Sequence, residues 1–181
     1  MNTRETENDT ELYDKIVFHF EKQLERTNYW VSFAEAKNGA IIAINVAMVA
    51  VLISIFDKAP IFCIIAISCF LLSCALSLIS FIPNTKNRPD TNKTPLYADE
   101  SNLLFYGDIA LIGTTERYIK LSIDRYFAGK GMALIDKLVC DLASEVLINS
   151  RIAVKKYGDF KWATKIDFLA LLLTIIFLCV A

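Results

Sequence analysis

Histidine, glycine and proline are scarce in this sequence, and the motifs that mark common enzyme classes are missing. Its 181 residues include one histidine, six glycines and four prolines. No group of histidine, cysteine and acidic residues has metal-ligand spacing, and neither G-x-S-x-G nor a G-x-x-x-x-G-K-[ST] phosphate loop occurs. The single histidine, His19, is interpreted as a helix-surface residue. The sequence therefore predicts a protein that is not an enzyme and has no metal or cofactor.

Net charge and cysteine spacing exclude two further classes. The formal net charge is −1, so the chain lacks the basic excess that nucleic-acid binding requires. Its five cysteines include no C-x-x-C pair, which argues against a zinc site and against a disulfide framework. Four of them lie in apolar stretches, where we interpret them as small packing residues.

Three apolar stretches interrupt an otherwise charged chain, at residues 39–56, 60–82 and 166–181. A bilayer core requires roughly 20 apolar helical residues. The second stretch is long enough, the first nearly so, and the third requires Trp162 and Lys165 at the interface. We predict an all-α, three-span helical membrane protein. Its expected parts are a cytoplasmic N-terminal helix (1–38), a transmembrane hairpin (39–82), a cytoplasmic helical region (83–160) and a third transmembrane helix (161–181).

The positive charges predict the orientation of these spans. All Lys and Arg residues except Lys58 lie in 1–38 or 84–165. Because cytoplasmic segments near a membrane are enriched in Lys and Arg, both regions are expected in the cytoplasm. The N-terminus is then cytoplasmic and the C-terminus lies outside.

Helical periodicity continues from the polar regions into the spans. From Glu11, apolar residues recur at intervals of three and four, and no Gly or Pro interrupts the pattern before Gly39. This predicts one helix that runs into the first span. A second amphipathic helix, from Met132, leads into the third span either continuously or with a kink at Gly158. The cytoplasmic bundle is therefore expected to be continuous with the first and third transmembrane helices.

Small residues form a stripe along each of the first two spans. Such stripes let helix backbones approach closely within lipid. They allow two interpretations: self-association of a homo-oligomer, or contact between the two stripes within one subunit. The predicted packing positions are Ala40, Ala43, Ala47 and Ala50 in the first span, and the second span offers Ser73 and Ser77.

Asn45 is a carboxamide inside the first span, where an unpaired polar group costs free energy. It could join subunits, line a polar path, or bond to Ser73 or Ser77 of the hairpin partner. We favour a hydrogen bond between helices.

Three segments in order, 29–45, 102–109 and 149–157, resemble a known bacterial family. The first contains an acidic-x-Lys motif, Glu35-Ala36-Lys37, and then Asn45. The arrangement is similar to the membrane effectors of Pycsar antiphage systems, the PycTM type. The family commonly has aromatic-Gly-His where this chain has Tyr106-Gly107-Asp108, so no role for a histidine carries over to that position.

The resemblance implies a function. Members lie in the bacterial inner membrane and respond to a cyclic pyrimidine nucleotide, cCMP or cUMP, made by a partner cyclase during phage infection. They then impair membrane integrity, which causes abortive infection. The alternative from another class is a ligand-independent, homo-oligomeric membrane scaffold or small accessory subunit.

A cyclic nucleotide requires a cation for its phosphate and an aromatic face for its base. Lysines near the predicted inner surface and aromatic or amide side chains in the resembling segments have this chemistry. The lysines can instead be topology anchors, and the aromatic residues can instead pack in the bundle. The candidate ligand-binding residues are Lys37, Asn102, Phe105, Tyr106, Lys155, Lys156 and Tyr157.

Overall fold

The computed structural model describes the backbone of residues 3–82 and 101–180 and the side chains of residues 7–82 and 101–177. Within these ranges all regular secondary structure is helical, as predicted. The α-helices are α1 (Thr3–Ser54), α2 (Pro60–Ile79), α3 (Tyr106–Ile109), α4 (Thr115–Tyr126) and α5 (Lys137–Val180), with 3₁₀ turns at Phe56–Lys58 and Met132–Leu134. Residues 83–100, the first part of the predicted cytoplasmic helical region, lie outside the described residues.

Helix α1 covers the stretch that the sequence predicts as a single helix, and it begins earlier than Glu11, at Thr3. It ends at the 3₁₀ turn Phe56–Lys58, and α2 begins directly afterwards with Pro60 in its first turn. Proline is tolerated there because the first amide groups of a helix have no partner within it. The turn between the first two apolar stretches is therefore where the sequence predicts it.

Two caps determine where α4 and α5 begin. The Thr114 side chain accepts a hydrogen bond from the Arg117 backbone N–H at 3.2 Å and caps α4. The predicted start of the last long helix at Met132 is wrong. Gly131 has a positive φ of 95°, a 3₁₀ turn follows it, and Asp136 Oδ1 accepts from Val139 N at 3.0 Å to begin α5 at Lys137. That backbone hydrogen bond is the main reason why the pKa of Asp136 is lowered.

Helix α5 runs through Gly158 without interruption. Of the two forms that the sequence allows for this helix, the structure has the continuous one.

The described residues form two compact units. Those of unit 1 lie within Met1–Val31 and Thr85–Val154, and those of unit 2 within Ser32–Asn84 and Lys155–Ala181. In unit 1, apolar side chains from α1, α3, α4, α5 and the segment before α3 make one core. Its buried members include Ile16, Phe20, Leu103, Ile109, Tyr118, Ile123, Val139 and Leu147.

Unit 2 consists of the later parts of α1 and α5 together with α2. Its buried apolar cluster is small, comprising Leu52, Cys63, Ala66, Phe70 and Ala170. Large apolar side chains are instead exposed on each helix segment, for example Val51 (50%), Ile61 (76%) and Phe168 (70%).

Two helices are long and apolar enough to cross a membrane, residues Glu7–Ser54 of α1 and all of α2. Only 22% of the 18-residue apolar segment in α1 and 28% of that in α2 is buried. The core helix of a soluble protein would be mostly buried. Water disfavours an apolar surface of this kind, but a bilayer matches it. By the same measure of length and hydropathy, the described part of α5 is not a candidate membrane span.

Candidate functional site

Lys156 is a buried cation held by two other helix segments of unit 2. Its Nζ lies 2.9 Å from Glu35 Oε1 on α1 and donates to the backbone carbonyl of Ser80 at 2.6 Å. Asn38 completes this arrangement, because its Nδ2 donates to Ser80 Oγ at 3.1 Å. Since the ammonium group is already paired, the arrangement fixes the three segments together.

The neighbouring lysines have different surroundings. Lys155 is exposed on α5. The Nζ of Lys37 lies 4.7 Å from the ring centre of Phe33, 5.5 Å from that of Tyr157 and 5.2 Å from that of Phe160. Three rings around one ammonium form a cation–π cage, so Lys37 is held against α5 rather than extended into solvent.

Polar side chains from all three segments meet inside the apolar part of unit 2. The Asp167 carboxyl of α5 faces the Ser73 hydroxyl of α2 and the Asn45 amide of α1. Asn45 is 1% exposed, Ser73 0% and Asp167 7%. Ser73 Oγ donates to the Ala163 carbonyl at 3.2 Å, but neither amide atom of Asn45 nor Oδ1 of Asp167 has a hydrogen-bond partner. We call Asn45, Ser73 and Asp167 the polar cluster.

A cleft of about 390 Å³ lies between the α1 and α5 segments of unit 2. Lys37 and Asp167 are its charged lining residues, and the remaining walls are almost entirely apolar. A second, smaller space of about 100 Å³ adjoins Asn45 between α1 and α2. The polar cluster thus has a cavity beside its carboxylate and another beside its amide.

The small-residue stripes differ in exposure. Ser73 and Ser77 of α2 are buried, and Ser77 Oγ has no hydrogen-bond partner. The stripe of α1 lies on the outside of unit 2, at the exposed positions Ala40, Ala43, Ala47 and Ala50. The buried face of α1 is a different one, so the two stripes do not face each other within the described chain.

In unit 1, Asn102 and Asp108 close the loop before α3. The Asn102 backbone N–H donates to Asp108 Oδ2 at 2.7 Å, and Asn102 Oδ1 accepts from the Leu104 N–H at 3.0 Å. Both hydrogen bonds are local, so these two side chains give the loop its shape. Asp108 thereby has a structural partner at the position where a histidine is common in the resembling family.

This loop presents aromatic rings beside α1. The ring centres of Phe105 and Tyr106 lie 4.7 Å apart, those of Trp30 and Tyr106 5.4 Å apart, and those of Tyr29 and Trp30 5.5 Å apart. Tyr29 is 60% exposed and Phe105 43%. Burial raises the pKa of Tyr106, so its phenol is neutral at physiological pH. We call Tyr29, Trp30, Phe105 and Tyr106 the aromatic cluster.

The predicted ligand-binding residues fall in both units. Asn102, Phe105 and Tyr106 belong to unit 1, and the three lysines and Tyr157 belong to unit 2. Sequence reasoning missed Trp30 and Asp167 as site residues. Asp167 had a usable signal, because it is the one charged residue within the third apolar stretch.

Among the described side chains, no group of three or more His, Cys, Asp or Glu is placed to hold a metal ion.

Comparison with known proteins agrees with the resemblance in the sequence. A family described as PycTM, Pycsar effector protein domain, matches residues 19–181. The Pycsar effector protein RsPycTM of a Rhizobium species is 29% identical over 138 residues, which cover 72% of this chain and 76% of that protein. No solved structure matches the chain.

Proposed function

The chain belongs to the PycTM family of Pycsar effectors, which makes it an antiphage defence effector, and we propose that it responds to a cyclic pyrimidine nucleotide by impairing the bacterial inner membrane. The partner in this proposal is a cyclase that makes cCMP or cUMP. The outcome is abortive infection, in which the infected cell stops growing before phage mature.

Exposed apolar side chains of unit 2 support the proposal that the chain acts in a membrane. Besides α1 and α2, the last part of α5 exposes Phe168, Leu169, Leu172, Ile175 and Ile176, each by 45% or more. A surface of this kind is stable only in lipid or against another protein. We therefore propose a third span in α5, with the N-terminus in the cytoplasm and the C-terminus outside.

The aromatic cluster supports the nucleotide part. Stacking of a base on an aromatic side chain is worth about 1–3 kcal/mol, and both Tyr29 and Phe105 have exposed rings. We propose that the base stacks on this cluster. Asn102 then acts by holding the loop that carries Phe105 and Tyr106.

The lysines have separate proposed roles. Lys156 is paired with Glu35 and the Ser80 carbonyl, so we propose that it fixes the helices of unit 2. Lys37, with Tyr157 in its ring cage, is proposed to anchor α1 to α5. Lys155 is exposed on α5, so its ammonium is accessible from solvent.

The exposed alanine stripe of α1 supports self-association. Small residues allow close approach of helices in lipid, and Ala43, Ala47 and Ala50 have no such partner within the described chain. We propose that copies pack through this stripe and that the nucleotide favours one packing through higher affinity for it. Helices α1 and α5 contribute to both units and provide the covalent route for this coupling.

Bacteria that express the chain together with a pyrimidine nucleotide cyclase provide the test. We expect propidium uptake with an active cyclase and none with a catalytically inactive one. A ligand-independent scaffold predicts the same uptake with either cyclase, and that result would contradict the proposal.

The aromatic cluster has a matched control in Phe18, a 58% exposed ring elsewhere on α1. Phe105→Ala is expected to weaken binding of cCMP or cUMP by roughly ten-fold, in line with the loss of one stacked ring, whereas Phe18→Ala leaves binding unchanged. Calorimetric titration of the purified protein measures both. Equal affinities for Phe105→Ala and the wild type would remove the cluster from the proposed site.

A further inference from the structure

We propose that the polar cluster is a binding site for a monovalent cation and that it makes the membrane lesion selective for cations. The site itself stands on the geometry of unit 2. Its part in the lesion rests on the proposed function.

The first observation is that the cluster is buried and incompletely paired. Asn45 and Asp167 are more than nine-tenths buried. The Asp167 carboxyl faces the Asn45 amide, but neither amide atom has a partner within hydrogen-bond distance and angle. An unsatisfied buried polar group costs about 1–3 kcal/mol. Three helices bring these unsatisfied polar groups together. We infer that a bound species completes their hydrogen bonds or coordination.

The second observation concerns charge. Within the described ranges, no cation pairs with Asp167. Lys156 is neutralised by Glu35. Lys37 lines the same cleft as Asp167, but its ammonium lies against three rings and forms no ion pair with the carboxylate. Lys165 lies 4.5 Å from the ring centre of Trp162. An unpaired ionised carboxylate in hydrocarbon has a high free energy, and such groups mark ion pathways in membrane proteins.

The donor chemistry fits a monovalent cation. The cluster presents a carboxylate, an amide carbonyl and a hydroxyl, all of them oxygen donors, which hard cations prefer. One negative charge neutralises one monovalent ion, whereas a divalent ion would leave an excess charge in the apolar interior. Acidic side chains are the usual selectivity elements of cation channels.

The cleft gives an ion access to the carboxylate. Asp167 lines the 390 Å³ space between α1 and α5, and Asn45 lines the smaller space towards α2. An ion bound to the cluster would therefore have room on both sides. The competing explanation is a protonated Asp167 that only holds helices together, and it predicts no dependence on the cation.

Thermal unfolding of the full chain in detergent tests the site without any nucleotide. At equal ionic strength, we expect KCl or NaCl to raise the wild-type Tm by about 2–4 °C over N-methyl-D-glucamine chloride. Asp167→Asn is expected to abolish this rise, and Ser73→Ala, which removes one oxygen, to reduce it. The matched control is Thr174→Val, because the buried Thr174 hydroxyl donates only to its own helix, to the Ala170 carbonyl at 2.8 Å.

A wild-type Tm that is the same in all salts would overturn the proposal. So would an unchanged rise in Asp167→Asn, or in Ser73→Ala should the first variant fail to fold.

Planar-bilayer currents test the selectivity. With cCMP or cUMP present, wild-type currents in a KCl gradient should reverse near the potassium equilibrium potential, and those of Asp167→Asn should shift towards zero or fall at least ten-fold. Nucleotide-dependent currents that reverse near zero in the wild type would overturn this inference alone. No wild-type current with either nucleotide would contradict the proposed function and, with it, the role in the lesion, while the salt-dependent Tm still decides the site.

Discussion

Lys155 and Lys156 are adjacent and chemically identical, yet their surroundings differ completely. Lys155 is exposed, whereas Lys156 is 7% exposed and paired with Glu35. The sequence predicts both as candidate ligand residues because spacing alone does not show which face of α5 turns inward. Burial thus separates a structural lysine from one available to a ligand.

Substitution of the two lysines should change the free energy of unfolding by different amounts. Lys156→Met removes a charge-assisted hydrogen bond to Ser80 and leaves Glu35 unpaired, so we expect a loss of about 1.5–3 kcal/mol in the free energy of unfolding. Lys155→Met should stay within about 0.5 kcal/mol of wild type. Chemical denaturation in detergent measures both, and equal losses would argue against the buried pair.

His19 lies on α1, where the sequence predicts a helix-surface residue, but it is half-buried. Its ring lies 4.9 Å from that of Tyr126 and 5.7 Å from that of Phe127, and its buried Nε2 has no hydrogen-bond partner. Burial, and then the charge of Arg26, lowers the pKa of His19 below its ordinary value of 6.5. The neutral imidazole is therefore the form that fits the fold.

This lowered pKa makes stability depend on pH in one direction. As pH falls through 6.5, the unfolded chain takes up a proton that the folded chain does not, so folded stability falls with it. Stability from this group is complete above pH 6.5 and decreases between 6.5 and the lower folded pKa. Because the chain has one histidine, His19→Phe should remove most of the decrease in Tm between about pH 7 and about pH 5.5. A decrease of the same size in the variant would assign it to other groups.

At the scale of elements, the long helices were predictable because α1 has no Gly or Pro before Gly39. The start of α5 was not, because it depends on the left-handed backbone of Gly131 and on the Asp136 cap. A Cβ at Gly131 would lie 2.6 Å from Ile16 Cδ1. Both the conformation and the close approach require glycine at this turn.

Two glycine substitutions should therefore have opposite signs. Gly131→Ala is expected to destabilise the fold by at least about 1 kcal/mol, through positive φ and the contact with Ile16. Gly158→Ala lies within α5, where a Cβ meets nothing within 4 Å, and should stabilise by about 0.5–1 kcal/mol. Denaturant midpoints of the two variants measure this, and a shift in the same direction for both would contradict the account.

The faces of the apolar helices were the least predictable feature at this scale. In α1, the alanine stripe and the buried face that carries Asn38, Ile41 and Asn45 both follow helical spacing. Composition favours the small residues for packing, but the polar and larger residues are the ones buried within the chain. Only the packed structure distinguishes a face used within one copy from a face left for another.

At the scale of the whole molecule, sequence and comparison give the family and the all-helical, apolar character of the described chain. The polar cluster was only partly foreseen, since Asn45 and Ser73 were singled out and Asp167 was not. Their meeting depends on the rotation of three helices about their axes, which residue spacing in one chain does not determine. The aromatic cluster was likewise incomplete without Trp30.

The most direct measurement is leakage from liposomes that contain only the purified chain. The account predicts release of an encapsulated ion or dye on addition of cCMP or cUMP, and none with the linear nucleotides 5′-CMP or 5′-UMP. Release that is equal with linear nucleotides, or absent with both cyclic ones, would contradict the central claim that this chain is a nucleotide-gated membrane effector.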